Sequence, residues 1–315
     1  MEVNNKIICI VGPTASGKTA LSIALAKELG GEIVSADSMQ IYKGMDIGTA
    51  KPTEEEKEGI PHHMLSIIEP DDDYSVARYV AEASVCVDEI LAKGKTPIIV
   101  GGTGLYIDSL VKGTEFADFE EDKEYRNELF AIYEKEGASK LHGMLAEVDH
   151  ERASQIHENN VKRVIRALEV YKATGRTISE HDAETLEKPP KYDATYIGLM
   201  YEDRQKLYDR INLRVDLMEK AGLLDEVKRI LASGISPKAT SMQAIGYKEL
   251  VSFFEEKCSL QEAKEAIKQG SRRYAKRQMT WFKRNEKTNW IAADKEKNLS
   301  EILQASMNFI SFKGI

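Results

Sequence analysis

An α/β fold built on a parallel sheet is predicted by three observations: a strand–glycine turn–helix unit near the start, apolar runs alternating with helix-period segments, and a strandless stretch from 114 to 190. The first unit is CIVGPTASGKTAL, residues 9–21. Gly12-x4-Gly17-Lys18-Thr19 within it is a P-loop, in which backbone N–H groups at a helix N-terminus surround phosphate oxygens. Gly12, Pro13, Thr14, Ala15, Ser16, Gly17, Lys18 and Thr19 form that cradle; Lys18 adds a point charge and Thr19 offers a hydroxyl to Mg2+. KIICIV before it reads as a buried strand over 6–11, and Leu21, Leu25 and Leu29 after it recur at helical spacing until Gly30 and Gly31 stop the helix. The predicted class is therefore a P-loop NTPase-like parallel sheet flanked by helices. The motif specifies a phosphate site without specifying a reaction.

Further strands are expected at 32–36, 96–100 and 195–200, with another near 290–293. Ser75 reads as the N-cap of a helix over 76–93 and Gly94 as its stop. From 114 to 190 only short amphipathic segments occur, such as 123–135 and 160–174, and Pro189-Pro190 closes the stretch. The expected organisation is a P-loop core of 1–113 with 191–315, interrupted by an all-helical insertion of 114–190. After 203 the pattern is helical again.

At 315 residues the chain exceeds one comfortable core, and 42% hydrophobic with 30% charged residues describes a globular protein. No run approaches the roughly 20 apolar residues of a membrane span. Cys9, Cys86 and Cys258 are scattered singly and no signal peptide precedes the first strand, so a reducing cytoplasm is expected. His62, His63, His142, His150, His157 and His181 lie among no cysteines at metal-ligand spacing. The net charge of −8 argues against nonspecific coating of nucleic acid, yet the charge is unevenly spread. Residues 115–136 hold nine acids against three bases, 161–176 five bases against one acid, and 271–287 seven bases against one acid. In the last segment Arg273, Lys276, Arg277, Thr280 and Arg284 share one helix face, beside a stripe of Tyr274, Gln278 and Trp281. Tyr274 and Trp281 are expected to dock the helix on the core, the commoner fate of aromatics at such spacing, and a basic face anchored this way suits a phosphate backbone.

Ligands of open α/β sheets collect at the carboxyl ends of strands, and two such ends are unusual. GEIVSADSMQIYKGMDIGTAKP leaves its strand at Asp37 and runs for fifteen residues without helix or strand, a length that usually marks function. Asp37, Ser38 and Gln40 offer hydrogen-bonding groups there, and Met39, Tyr42 and Met45 apolar contacts. Asp37 is a turn residue or a Mg2+ ligand on this pattern. PIIVGGTGLYI ends in Gly101-Gly102-Thr103 where an ATPase would carry a Walker-B Asp. Gly101, Gly102 and Gly104 let backbone approach a ligand closely or form a plain tight turn, and Thr103 adds a hydroxyl.

GPTASGKT, DSMQIYKGMDIGTAKP, VGGTGLYI, NNVKRVIRALEV, MQAIGYKEL and RRYAKRQMTWF, in that order, closely resemble the tRNA dimethylallyltransferases, or tRNA isopentenyl transferases, over residues 6 to about 284. Longer eukaryotic relatives append a zinc finger, and no such pattern follows residue 290, so the bacterial type is expected. The resemblance implies that the P-loop holds dimethylallyl diphosphate and that the prenyl group passes to the exocyclic N6 amine of the adenine 3′ of the tRNA anticodon. It implies Asp37 as general base, Thr103 and Arg214 as stabilisers of the diphosphate leaving group, and Mg2+ as cofactor through Thr19. It implies a tRNA surface of Asp37, Ser38, Met39, Gln40, Thr103, Arg126, Lys162, Arg163, Arg166, Gln243, Gly246, Arg273, Lys276 and Arg277, with core and insertion gripping the anticodon stem from two sides. No protein partner is evident and a monomer is expected. A small-molecule or nucleoside monophosphate kinase remains the alternative, and an RNA-binding P-loop NTPase a third.

Overall fold

In the computed structural model, residues 5–116, 122–296 and 298–314 are described, so residues 117–121 of the acidic stretch lie outside. Six parallel strands form one sheet: β1 (Lys6–Val11), β2 (Glu32–Ser35), β3 (His62–His63), β4 (Pro97–Val100), β5 (Asp193–Met200) and β6 (Asn289–Ala292). Their order is β3-β2-β4-β1-β5-β6. The helices are α1 (Lys18–Leu29), α2 (Glu54–Lys57), α3 (Val76–Ala92), α4 (Gly104–Lys112), α5 (Lys123–Glu136), α6 (Ala138–Val148), α7 (His150–Gln155), α8 (Val161–Thr174), α9 (Ile178–Glu187), α10 (Arg204–Lys220), α11 (Leu223–Ala232), α12 (Tyr247–Phe254), α13 (Leu260–Phe282) and α14 (Leu299–Phe312).

Contacts divide the chain into two units, 1–113 with 191–315 and, separately, 114–190. In the first, β1 is buried along Ile7–Val11 because it sits between β4 and β5, and parallel strands covered on both faces read as continuous apolar runs. Ile8, Ile10, Ile33, Ile98, Ile197 and Leu199 pack with α1 and α14 through Leu21, Leu25 and Ile310. Because β4 and β5 leave β1 on opposite sides, the carboxyl end of β1 is a topological switch point, where open α/β sheets bind ligands.

The strands expected at 96–100 and 195–200 run over 97–100 and 193–200, and the one near 290–293 runs over 289–292. β3 was not expected. It is two polar residues paired with Ile33 and Val34, and His63 Nε2 meets Glu32 at 2.8 Å, so pairing rather than apolar alternation holds it. Ser75 caps α3 through its side chain, accepting from Arg78 N–H, and the helix ends at Ala92, two residues before Gly94.

The second unit contains helices and no strand among its described residues. Leu129, Leu141, Leu145, Val164, Ile165 and Leu168 form its core. Buried Asp149 caps α7, accepting from Arg152 N–H at 2.9 Å, and also accepts from the Ser179 hydroxyl at 2.6 Å, which ties α9 to the same corner.

Candidate active site at the carboxyl ends of the strands

The P-loop leaves β1 at Gly12, whose φ of +141 and approach to β5 require glycine: a Cβ there would lie 2.4 Å from the Leu199 carbonyl oxygen. Lys18 Nζ donates to the Pro13 carbonyl at 2.7 Å. Helix α10 supports the loop with two arginines one turn apart. Arg210 Nε donates to the Ala15 carbonyl at 3.0 Å, and Arg214 reaches the Thr14 hydroxyl at 3.5 Å. From α13, Gln278 Oε1 accepts the Thr14 N–H at 2.8 Å. Ser16 is buried and its hydroxyl has no partner among the described residues, which an anionic ligand in the loop would supply.

Burial, and then the charge of Arg214, lower Lys18 from 10.5 to about 7 against the opposing pull of Asp37. Arg214 is likewise lowered by burial and held up by Asp37 and Glu56. These crowded cations make a site of positive potential. A cavity of about 890 Å3 opens on Ser16, Lys18, Thr19 and Arg214, and the exposed Leu213 and Leu217 of α10 form an apolar wall.

Beside the cradle, β2 and β4 continue their pairing past their ends. Ala36 N–H donates to the Val100 carbonyl, Thr103 N–H to the Ala36 carbonyl, and Ser38 N–H to Thr103 Oγ1 at 3.0 Å. Asp37 Oδ1 accepts the Met39 N–H at 2.9 Å and the Gln40 N–H at 3.4 Å, an Asx turn that leaves Oδ2 to act. The sequence reading of Gly101, Gly102 and Gly104 as room for a ligand needs correction. Added Cβ atoms would lie 2.1 Å from the Ala36 carbonyl oxygen, 2.0 Å from Gln278 Nε2 and 2.1 Å from the Trp281 ring, so the glycines admit neighbouring protein.

The loop after Asp37 is held by residues that carried no motif. Buried Glu226 accepts the N–H groups of Asp46, Ile47 and Gly48 at 2.8, 2.8 and 3.0 Å, and Tyr247 donates its hydroxyl to the same carboxylate at 2.5 Å. Lys51 Nζ reaches the Tyr42 carbonyl, Asp46 and Ser66. The Gln40 amide donates to the Thr49 and Ala50 carbonyls and accepts from Ser35, so Gln40 is engaged within the loop rather than offered to a base. Glu226 could have been found: with Leu223, Val227 and Ile230 it occupies the apolar stripe of α11, where a lone acid needs buried donors.

On α13, Tyr274, Gln278 and Trp281 dock the helix: Tyr274 and Gln278 donate to the Gly102 carbonyl, and Trp281 Nε1 donates to Asp108 at 2.8 Å. Arg273, Lys276, Arg277, Thr280 and Arg284 stand exposed on the outer face, and Arg284 lies 3.9 Å over the Trp281 ring. On α8, Lys162, Arg163 and Arg166 are exposed. Arg126 does not join them as an open cation. Its guanidinium grips buried Glu169 through two bonds of 2.6 and 2.8 Å, an inward pairing that the acid's burial demands. Gln243 and Gly246 lie before α12, where the Gln243 amide donates to the Pro237 carbonyl and the Gly246 N–H to Glu249.

Comparison with known proteins places this geometry. A family model described as IPP transferase matches residues 40–285, and one described as isopentenyl transferase matches residues 5–68. The tRNA dimethylallyltransferases of Caldanaerobacter subterraneus and Acetivibrio thermocellus are 50% and 49% identical, over 98% and 99% of this chain and the same shares of their own. The crystal structure of the full-length tRNA isopentenylpyrophosphate transferase of Bacillus halodurans is 43% identical with a TM-score of 0.74, covering 98% of this chain and 97% of that one. A eukaryotic dimethylallyltransferase captured acting on tRNA is 31% identical with a TM-score of 0.81, covering 98% of this chain and 80% of its own.

Proposed function

The chain belongs to the IPP transferase family, and from that premise we propose how its residues carry prenyl transfer to tRNA. The donor in this reading is dimethylallyl diphosphate. The acceptor is the N6 amine of the adenine 3′ of the anticodon, a base in a single-stranded loop that can be turned out. The observation that carries the reading is the juxtaposition of Lys18, Arg214 and the unpartnered Ser16 hydroxyl around a phosphate cradle, with Asp37 interacting electrostatically with both cations.

The allylic C–O bond breaks, the N6–C bond forms, the N6 proton passes to Asp37 Oδ2, and diphosphate leaves with the C–O electron pair. The amine is a weak nucleophile because its lone pair is delocalised into the ring, so removing its proton as the bond forms lowers the barrier. Negative charge growing on diphosphate is met by Lys18, Arg214 and the loop amides. Thr103 acts through Ser38, whose N–H it accepts, and thereby shapes the turn that carries Asp37.

Among the described residues no three His, Cys, Asp or Glu gather as a metal cage, whereas Thr19 lines the cavity at the cradle. This donor set fits Mg2+ arriving with a diphosphate, since that ion uses one or two protein oxygens plus phosphates and water. Thr19 would hold it, and the ion would supply charge neutralisation to the leaving group. Lys162, Arg163, Arg166, Arg273, Lys276 and Arg277 are the phosphate-contacting cations of this reading, and Met39, Gln243 and Gly246 complete its tRNA surface.

No helix among the described residues is long and apolar enough to cross a membrane. The kinase left open by the P-loop alone is not favoured, because full-length relatives at about half identity are tRNA dimethylallyltransferases. Incubating the protein with tRNA and labelled dimethylallyl diphosphate, then digesting the RNA, should yield a prenylated adenosine. Unmodified tRNA together with phosphate transfer from ATP would overturn the reading.

A further inference from the structure

Helix α13 has two working faces. Outward it presents Arg273, Lys276 and Arg277 to solvent; inward, next to Arg277 in sequence and one turn from Tyr274, it places Gln278, only 4% exposed. That single amide touches both halves of the site. Its Oε1 accepts the Thr14 N–H of the P-loop at 2.8 Å, and its Nε2 donates to the Gly102 carbonyl at 3.2 Å. The Gly102 turn is in turn zipped to the Asp37 turn through Thr103, which bonds the Ala36 carbonyl and the Ser38 N–H.

We infer that Gln278 is a positioning residue that couples the tRNA-facing helix to the phosphate cradle, so that engagement of one changes the affinity of the other. The inference rests on the prenyl-transfer reading for the identities of the two ligands. Three physical facts support it. The amide has no slack, because a methyl group at residue 102 would already lie 2.0 Å from Nε2. Thr14 is gripped on both sides, by Gln278 at its N–H and Arg214 at its hydroxyl, so a shift of α13 is transmitted to a loop peptide rather than absorbed. Finally, Tyr274 and Trp281 fix the same helix to the Gly102 turn and to Asp108, which makes α13, loop and turn one hydrogen-bonded body.

Coupling between two sites is measured as the ratio of one ligand's affinity without and with the other. Inorganic diphosphate binding to the full chain is measured by calorimetry, alone and with a saturating anticodon stem-loop RNA, for wild type, Gln278→Met and the milder Gln278→Asn. In wild type the RNA should change the diphosphate Kd by about fivefold or more, the lower end of ordinary coupling. In Gln278→Met that ratio should fall to near one, while the RNA affinity and its salt dependence stay within about twofold, because the phosphate-contacting arginines are untouched. Gln278→Asn, which keeps an amide too short to span both partners, should give a ratio near one as well. A wild-type ratio near one, or an equal ratio in wild type and both variants, overturns the inference. Failure of wild type to bind diphosphate or RNA at all would instead sink the functional reading on which it rests.

Discussion

Lys18 and Asp37 each answer to two demands, and substitutions can separate them. Lys18 is lowered to about 7 by burial and by Arg214, so in the free protein it loses its proton above that pH; in the proposed reading, the negative charge of a bound diphosphate would restore it. Donor binding therefore takes up a proton above pH 7. Affinity for dimethylallyl diphosphate, measured by calorimetry without added metal, should be flat below pH 7 and weaken by up to about tenfold per pH unit above it. Lys18→Arg keeps its charge and should remove the dependence; a wild-type affinity constant up to pH 9 would refute the account. Asp37 both folds a turn and, in the proposed reaction, takes a proton. Asn at 37 would keep the oxygen that accepts from Met39 and Gln40 but cannot act as base. Asp37→Asn should thus lower turnover by about 10² or more, with tRNA affinity within several-fold. Turnover near wild type in the Asn variant would reduce Asp37 to a turn residue. The turn was legible in the sequence as an Asp at a strand end; the lowered Lys18 was not, because it comes first from burial in the folded chain and then from Arg214, 196 positions away.

At the scale of elements, local signals fared well where one segment decides its own structure. Ser75 and the α3 pattern set a helix start, and the Tyr274, Gln278 and Trp281 stripe marks the docked face of α13. They failed where a partner decides. β3 exists by pairing with Ile33 and Val34, and the glycines after β4 answer to α13 and to Ala36. The long loop after Asp37 is ordered by Glu226 from α11, whose carboxylate satisfies three consecutive backbone amides and the Tyr247 hydroxyl. Glu226→Gln replaces an acceptor with an amide NH2 that faces donors. We expect a loss of about 2 kcal/mol in urea unfolding, and loss of hydrogen-exchange protection at Asp46, Ile47 and Gly48. Retained protection at those three amides would show that the loop is held by other contacts, such as those of Lys51 and Gln40.

For the whole molecule, the net charge of −8 and two exposed basic faces are compatible because recognition of a phosphate backbone depends on local fields. Arg273 and Arg277 belong to one unit and Arg163 and Arg166 to the other, so each pair is tested on its own. Neutralising either pair should raise the KM for tRNA without changing that for the donor. The log–log salt slope of tRNA affinity should flatten by roughly 0.7 to 0.9 per lost contact. Unchanged slopes in both double variants would make these charges ordinary solvated faces. By itself the sequence determined five of the six strands along the chain, the cradle, the Asp37 turn and the charge stripe of α13, because each is a local pattern of spacing and side-chain type. Only the tertiary structure decided that Arg210, Arg214 and Gln278 meet the P-loop, that Glu226 orders residues 46–48, and that Arg126 turns inward to Glu169. Those choices follow from burial: a carboxylate or amide removed from water takes whichever distant donors the fold brings to it, and no local periodicity encodes that distance.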